Sequence, residues 1–180
     1  TVVPDLSGCV SDATALAETA RLYAGDLYLD VFERVLADKA VTKQNLLETI
    51  REFGLGVQSD DVFILYLAGH GITHSDGDYY FIPQDFKNNT AIKESGVSKW
   101  ELISALSSVR AENITVILDT CNSASFGTEQ PSEEQLLKLT KEAIIEKMGA
   151  ISGFDLITAC TSAQLAVEHN GHGVFTSCLI

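Results

Sequence analysis

Cys121 and His70 are the residues whose type and setting speak first of chemistry. His70 sits in Leu67-Ala68-Gly69-His70-Gly71, and Cys121 in Leu118-Asp119-Thr120-Cys121-Asn122-Ser123. Cysteine attacks as a thiolate, and a nearby histidine takes its proton and later protonates a leaving amine. The pair points to nucleophilic acyl transfer, with peptide hydrolysis the leading candidate, and that chemistry requires no metal. Gly71 leaves a backbone N–H accessible, and the N–H of Cys121 is a second donor. Together they read as an oxyanion hole, in which each donor contributes about 3 kcal/mol. Each residue alone has a plain explanation, since most free cysteines are buried and inert and a core histidine is often simply satisfied. Both residues closing apolar runs, flanked by Gly69, Gly71, Asp119 and Ser123, are harder to obtain by accident. Cys160 is the rival nucleophile, because it too follows an apolar run. No histidine in the setting of His70 pairs with it by spacing, although His172 has its own Gly171-His172-Gly173. His74, His169 and His172 read as surface or loop residues.

The elements that must hold this pair are visible as hydrophobic patterns. Asp61–Ala68, Ile114–Leu118 and Leu156–Ala159 are near-continuous apolar runs, the mark of buried parallel strands. Residues 78–82 form a shorter strand stopped by Pro83, and the second half of 27–36 reads as another strand. Helices are expected over 12–23, with Ser11 or Asp12 as the cap, and from Thr42 to Gly54 through Leu46, Leu47, Ile50 and Phe53. Two more are expected from Ser98 through Trp100, Leu102, Ile103 and Leu106, and over Glu133–Met148. Trp100 reads as a packing residue. Alternating strands and helices imply an α/β fold, a mostly parallel central sheet with helices on both faces. Function in such sheets gathers at the carboxyl ends of strands. Two adjacent parallel strands would bring His70 and Cys121 to one rim.

Composition narrows the partners. The 180 residues carry a net charge of −13, with a pI near 4.5. That argues against nucleic acid or an anionic membrane surface and is compatible with a basic substrate. No apolar run reaches the roughly 18 residues of a membrane helix, and Thr1–Asp5 lacks the regions of a signal peptide. Cys9, Cys121, Cys160 and Cys178 show neither CxxC spacing nor a zinc pattern, which reads as a reduced, cytoplasmic protein. The chain reads as one domain over residues 1–180. It breaks off mid-pattern at Ile180, so truncation at both ends is expected, with a first strand before Thr1.

Taken together, Leu67–Gly71, Tyr79-Tyr80-Phe81-Ile82-Pro83-Gln84-Asp85 and Leu118–Ser123 resemble the caspase-like clan of cysteine peptidases. His70 and Cys121 stand 51 positions apart, against about 50 in caspases. The nearest likeness is to bacterial metacaspase-like proteins, the orthocaspases. Gly8-Cys9-Val10-Ser11-Asp12-Ala13 and Gly171–Thr176 match that likeness near the two ends. The resemblance implies a three-layer sandwich in which 1–126 is large-subunit-like, 127–149 a linker or helix, and 150–180 the start of a small-subunit-like part. It implies an endopeptidase acting on polypeptides, with further regulatory domains in the full-length protein. Caspases proper carry Gln-Ala-Cys at the nucleophile, whereas this chain has Asp119-Thr120-Cys121. By resemblance to metacaspases, Asp119, Cys9 and Asp12 would bind a substrate Arg or Lys. A carboxylate pairs with such a cation and repels an aspartate. Metacaspases often carry serine two residues before the histidine, where this chain has Ala68, so one pocket hydrogen bond is missing from the pattern. For Asp12 the competing reading is an acid in a helix's first turn. Many metacaspases bind calcium, for which Asp76, Asp78 and Asp85 are the candidate ligands; three acids around a turn are more often a solvated loop. Lys138, Lys141 and Lys147 are potential self-cleavage points, set against an intact amphipathic helix. Two other functions fit the same residues: a catalytically silent, caspase-like interaction module, and a hydrolase or transpeptidase acting on another acyl donor.

Overall fold

Three apolar runs form the parallel part of a five-stranded sheet. The computed structural model describes residues 6, 8–74, 78–122, 154–159, 168–169 and 172–180; at 26, 121, 122, 168, 169 and 172 it describes the backbone. In chain order the elements are α1 (Gly8–Tyr23), α2 (Lys43–Gly56), β1 (Val62–Thr73), β2 (Tyr79–Ile82), α3 (Ile92–Ser95), β3 (Val97–Ser98) and α4 (Lys99–Leu106). There follow β4 (Asn113–Asn122), β5 (Asp155–Thr158), β6 (Glu168–His169), β7 (His172–Gly173) and α5 (Val174–Leu179). The sheet order is β3-β2-β1-β4-β5, and β6 and β7 form a separate antiparallel pair. β1, β4 and β5 run parallel, whereas β2 and β3 are added antiparallel at the β1 side.

The two-residue period of a strand divides β1 and β4 into two faces. One face carries Phe63, Leu65 and Leu67 beside Ile114, Val116 and Leu118. Onto it pack Leu46, Leu47 and Ile50 of α2 and Leu102, Ala105 and Leu106 of α4. Leu102 and Val116 are fully buried, and each such side chain contributes about 1.5–3 kcal/mol by leaving water. α4 starts where sequence requires: the Ser98 hydroxyl accepts from the Glu101 N–H at 3.3 Å, and the Glu101 carboxylate accepts from the Ser98 N–H at 3.0 Å. The opposite face carries Tyr66, Ala68 and His70 beside Ile117 and Asp119. α1 packs against β1 there, and it also meets β7 and α5. Helices thus cover both faces, as expected of an α/β sandwich.

Four local expectations are corrected. Residues 31–36 form no strand; Leu27 and Phe32 stay 81% and 78% exposed. β-propensity is realised only against a paired neighbour, and none of the described strands pairs with this stretch. α1 begins at Gly8 rather than after Ser11 or Asp12, so Asp12 lies in its second turn and is 4% exposed. β1 and β4 run on through Thr73 and Asn122, because β2 continues the ladder beside residues 70–73. His70 and Cys121 are therefore in the strands, not beyond them. Trp100 is 47% exposed, with the Lys99 ammonium 5.4 Å from its ring centroid. No helix among the described residues is long and apolar enough to cross a membrane. The expected helix over 133–148 and the lysines within it lie outside the described residues, as does Cys160.

Candidate active site

The parallel register of β1 and β4 sets the site. His70 is the backbone partner of Cys121, Gly69 of Thr120 and Ala68 of Asp119. On its other side His70 pairs with Ile82 of β2, so the half-buried histidine is held from both edges. Gly69 has φ of +156°, and a side chain there would meet the Phe81 ring at 3.1 Å. Gly71 is packed more tightly still, since a Cβ would stand 2.6 Å from the Tyr79 ring. Tyr79 in turn shares a 2.8 Å hydrogen bond with the buried Thr120 hydroxyl, tying β2 to β4 on the packed face. The glycines flanking His70 are thus needed for close packing as well as for any role of the Gly71 N–H.

Positions 119 and 121 share a face by strand alternation, and that face holds a polar network. Asp119 Oδ2 accepts from Thr176 Oγ1 at 2.8 Å and from the Tyr66 hydroxyl at 3.1 Å. The two hydroxyls are themselves 2.7 Å apart. The Asp12 carboxylate accepts from the Gly173 N–H, at 3.0 Å to Oδ2 and 3.3 Å to Oδ1. A Cβ on Gly173 would lie 3.1 Å from Asp12 Oδ2 and 3.6 Å from Asp119 Oδ2. Both carboxylates therefore converge on one small backbone gap, with Asp12 arriving from α1 and Asp119 from β4. No ion pair of Asp119 occurs among the described residues. Two neighbouring carboxylates are electrostatically unfavourable alone and are relieved by a cation between them. Burial pushes the Tyr66 hydroxyl well above the usual tyrosine range; its bond to Thr176 opposes this, and the charge of Asp119 adds to it. Tyr66 therefore remains a protonated donor.

Of the residues singled out in sequence, the structure brings together His70 with the backbone of Cys121, and Asp119 with Asp12. Asp12 is no helix-capping acid, because it is buried against Gly173 from the second turn. Cys9 lies in α1 three residues before Asp12, half-buried and in no disulfide among the described residues. Tyr66 and Thr176 were missed. Tyr66 sits inside an apolar strand run, and nothing local in Val174-Phe175-Thr176-Ser177 says which hydroxyl turns toward a carboxylate. The one available signal was a tyrosine two positions before Ala68 on the same strand face.

Two of the acids considered for calcium, Asp78 and Asp85, have other partners. Asp78 forms an ion pair with Lys99, itself 2% exposed. Asp85 accepts from the Lys43 N–H at 2.9 Å, at the start of α2. Asp76 lies outside the described residues, and no group of three or more His, Cys, Asp or Glu able to hold a metal occurs among the described ones.

With this geometry in hand, comparison with protein families is informative. The model of the caspase domain matches residues 2–180. The chain belongs to the caspase domain family. That family is one of cysteine peptidases, so the coarse substrate class is polypeptide. A comparison with curated proteins finds no match. In this caspase domain the His70 and Cys121 positions fall opposite one another on neighbouring parallel strands, with an acidic pair on the same side of the sheet.

Proposed function

We propose that this caspase domain is an active cysteine endopeptidase that cleaves polypeptides after Arg or Lys. The observation that carries the reading is the register His70–Cys121 on adjacent parallel strands, with Asp119 one strand repeat earlier and Asp12 converging on it. Cys121 is the nucleophile. His70 takes its proton, and the thiolate attacks the carbonyl carbon before the cut. The tetrahedral oxyanion is held by the N–H groups of Gly71 and Cys121. Collapse breaks the C–N bond, and His70 passes the proton to the departing amine. Water, deprotonated by His70, then hydrolyses the thioester and restores the thiol.

Asp119 and Asp12 bind the basic side chain before the cut, with Cys9 beside them on α1. The support is electrostatic: a buried and a half-buried carboxylate meet where no described cation lies against Asp119. A substrate aspartate would add a third negative charge there. The orthocaspase-like subtype and any further regulatory domains belong to the same reading.

The test is a set of fluorogenic peptides varied at the residue before the cut, with Cys121→Ala as control. Turnover confined to Arg and Lys peptides is expected. Preference for Asp would overturn the pocket while leaving the dyad. A peptidyl-Arg chloromethylketone should alkylate Cys121; no labelling and no turnover would sink the enzymatic reading in favour of a silent interaction module.

A further inference from the structure

We infer that Tyr66 and Thr176 are positioning residues that fix the Asp119 carboxylate through one oxygen and leave the other to the substrate cation. The inference rests on the proposed role of Asp119 in binding Arg or Lys. Tyr66 lies on β1 and Thr176 in α5, more than a hundred positions apart, yet both hydroxyls reach Asp119 Oδ2, at 3.1 and 2.8 Å. An ionised carboxylate only accepts, and each hydroxyl has one proton to give. Three short contacts therefore share two protons. Either both lie on Oδ2, or one hydroxyl donates to the other, which donates to Oδ2. In every arrangement Oδ2 accepts at least one of these protons, and both hydroxyls pack against it.

Asp119 Oδ1 has no hydrogen-bond partner among the described residues. It is the oxygen left for a ligand. Thr176 is fully buried. Valine would fill nearly the same space without a hydroxyl to satisfy, so threonine at this position is explained by its bond to Asp119. Tyr66 keeps its proton, because burial and the adjacent carboxylate both disfavour the phenolate. Its hydroxyl also lies on the strand face of Ala68, where the side chain offers no hydrogen bond.

A consequence for specificity follows. A guanidinium fork pairs with a carboxylate through two parallel bonds, one to each oxygen. With Oδ2 engaged, Asp119 presents a single acceptor, which a compact ammonium uses as well as a guanidinium does. Asp12 supplies the second carboxylate. The locked geometry therefore accepts Lys alongside Arg, and unlocking it favours Arg.

The test uses Tyr66→Phe, Thr176→Val and Thr176→Ser, with Asp119→Asn in parallel. Three readouts are needed: KM and kcat on matched Arg and Lys peptides, the Arg-to-Lys ratio of kcat/KM, and the rate at which iodoacetamide alkylates Cys121. Iodoacetamide is small and uncharged and makes no use of the acidic pair. Tyr66→Phe and Thr176→Val should lower kcat/KM about tenfold, chiefly through KM, as loss of one charge-assisted bond implies. The Arg-to-Lys ratio should rise, alkylation should keep its wild-type rate, and Thr176→Ser should behave as wild type. Unchanged KM and ratio in both variants, with Asp119→Asn impaired, would overturn the positioning role alone. Alkylation falling in step with kcat/KM would also overturn it, because that marks general damage. Wild-type indifference to a basic residue before the cut would overturn the pocket reading and this inference together.

Discussion

The two faces of the same pair of strands are built on opposite principles. On one, Phe63, Leu67, Val116 and Leu118 meet α2 and α4 in a dry aliphatic core. On the other, Tyr66, Asp119 and Thr176 form a hydrogen-bonded cluster beneath α1 and α5, and His70 lies further along it. The buried polar contact of the first face, Tyr79 to Thr120, is a neutral hydroxyl pair satisfied within itself. The second face holds the Asp119 carboxylate, against which no described cation lies. One face is closed by aliphatic packing; the other uses the strand register to bring His70 and Asp119 to one side of the sheet.

This division can be broken from either side. The largest effect belongs to Cys121→Ala, which should reduce peptide turnover by at least about a thousandfold while leaving the urea unfolding midpoint within error. Leu102→Ala attacks the packed face. It should cost about 2–5 kcal/mol of stability, measured by urea titration, without altering the preferred residue before the cut. Asp119→Asn should do the reverse, lowering kcat/KM for Arg and Lys peptides about a hundredfold with little change in stability. Gly69→Ala sits on the boundary between the faces. With φ of +156° and Phe81 at 3.1 Å, it should cost about 1–3 kcal/mol and lower activity as His70 shifts.

The smallest effect is electrostatic and confined to the packed face's helices. Burial raises the Glu101 carboxyl, but the Lys43 ammonium at 2.8 Å and the Ser98 N–H and hydroxyl outweigh it and hold it below the usual glutamate range. A lowered folded value means that this contribution is complete above the ordinary glutamate pKa and is lost as pH falls through the lowered one. The difference in urea midpoint between wild type and Glu101→Gln should therefore be greatest near neutrality and fade as pH falls below the ordinary glutamate range. Peptide specificity should not follow it.

The parts of the molecule legible in sequence are those written in local pattern. The apolar runs at 61–68, 114–118 and 156–159 became β1, β4 and β5, and Ser98 with Glu101 declared the start of α4. The apposition of residues 70 and 121 on adjacent strands followed from those runs, although both lie within the strands rather than past their ends. What was not legible depends on distant chain meeting distant chain. The stretch 31–36 has the composition of a strand but lacks a described ladder partner. Asp12 looked like an acid at a helix start because its bond from the residue 173 N–H, far along the chain, leaves no mark in local pattern. Tyr66 passed as one more strand residue, since alternation alone cannot say that the group opposite its hydroxyl is a carboxylate. Trp100 read as a packing residue, yet it stays half-exposed while Lys99 takes the buried place beside it.

The bond from Gly173 to Asp12 spans 161 positions of chain, and Thr176 to Asp119 spans 57. Contacts of such separation form late, because closing the loop between them is entropically slow. During synthesis, residues 70 and 121 leave the ribosome before 173 and 176, and domains organise from the amino end first. On the proposed assignment, a growing chain thus carries its nucleophile and base for a time without the acidic pair assembled around residue 173, so the substrate pocket is completed after the strands that hold the dyad.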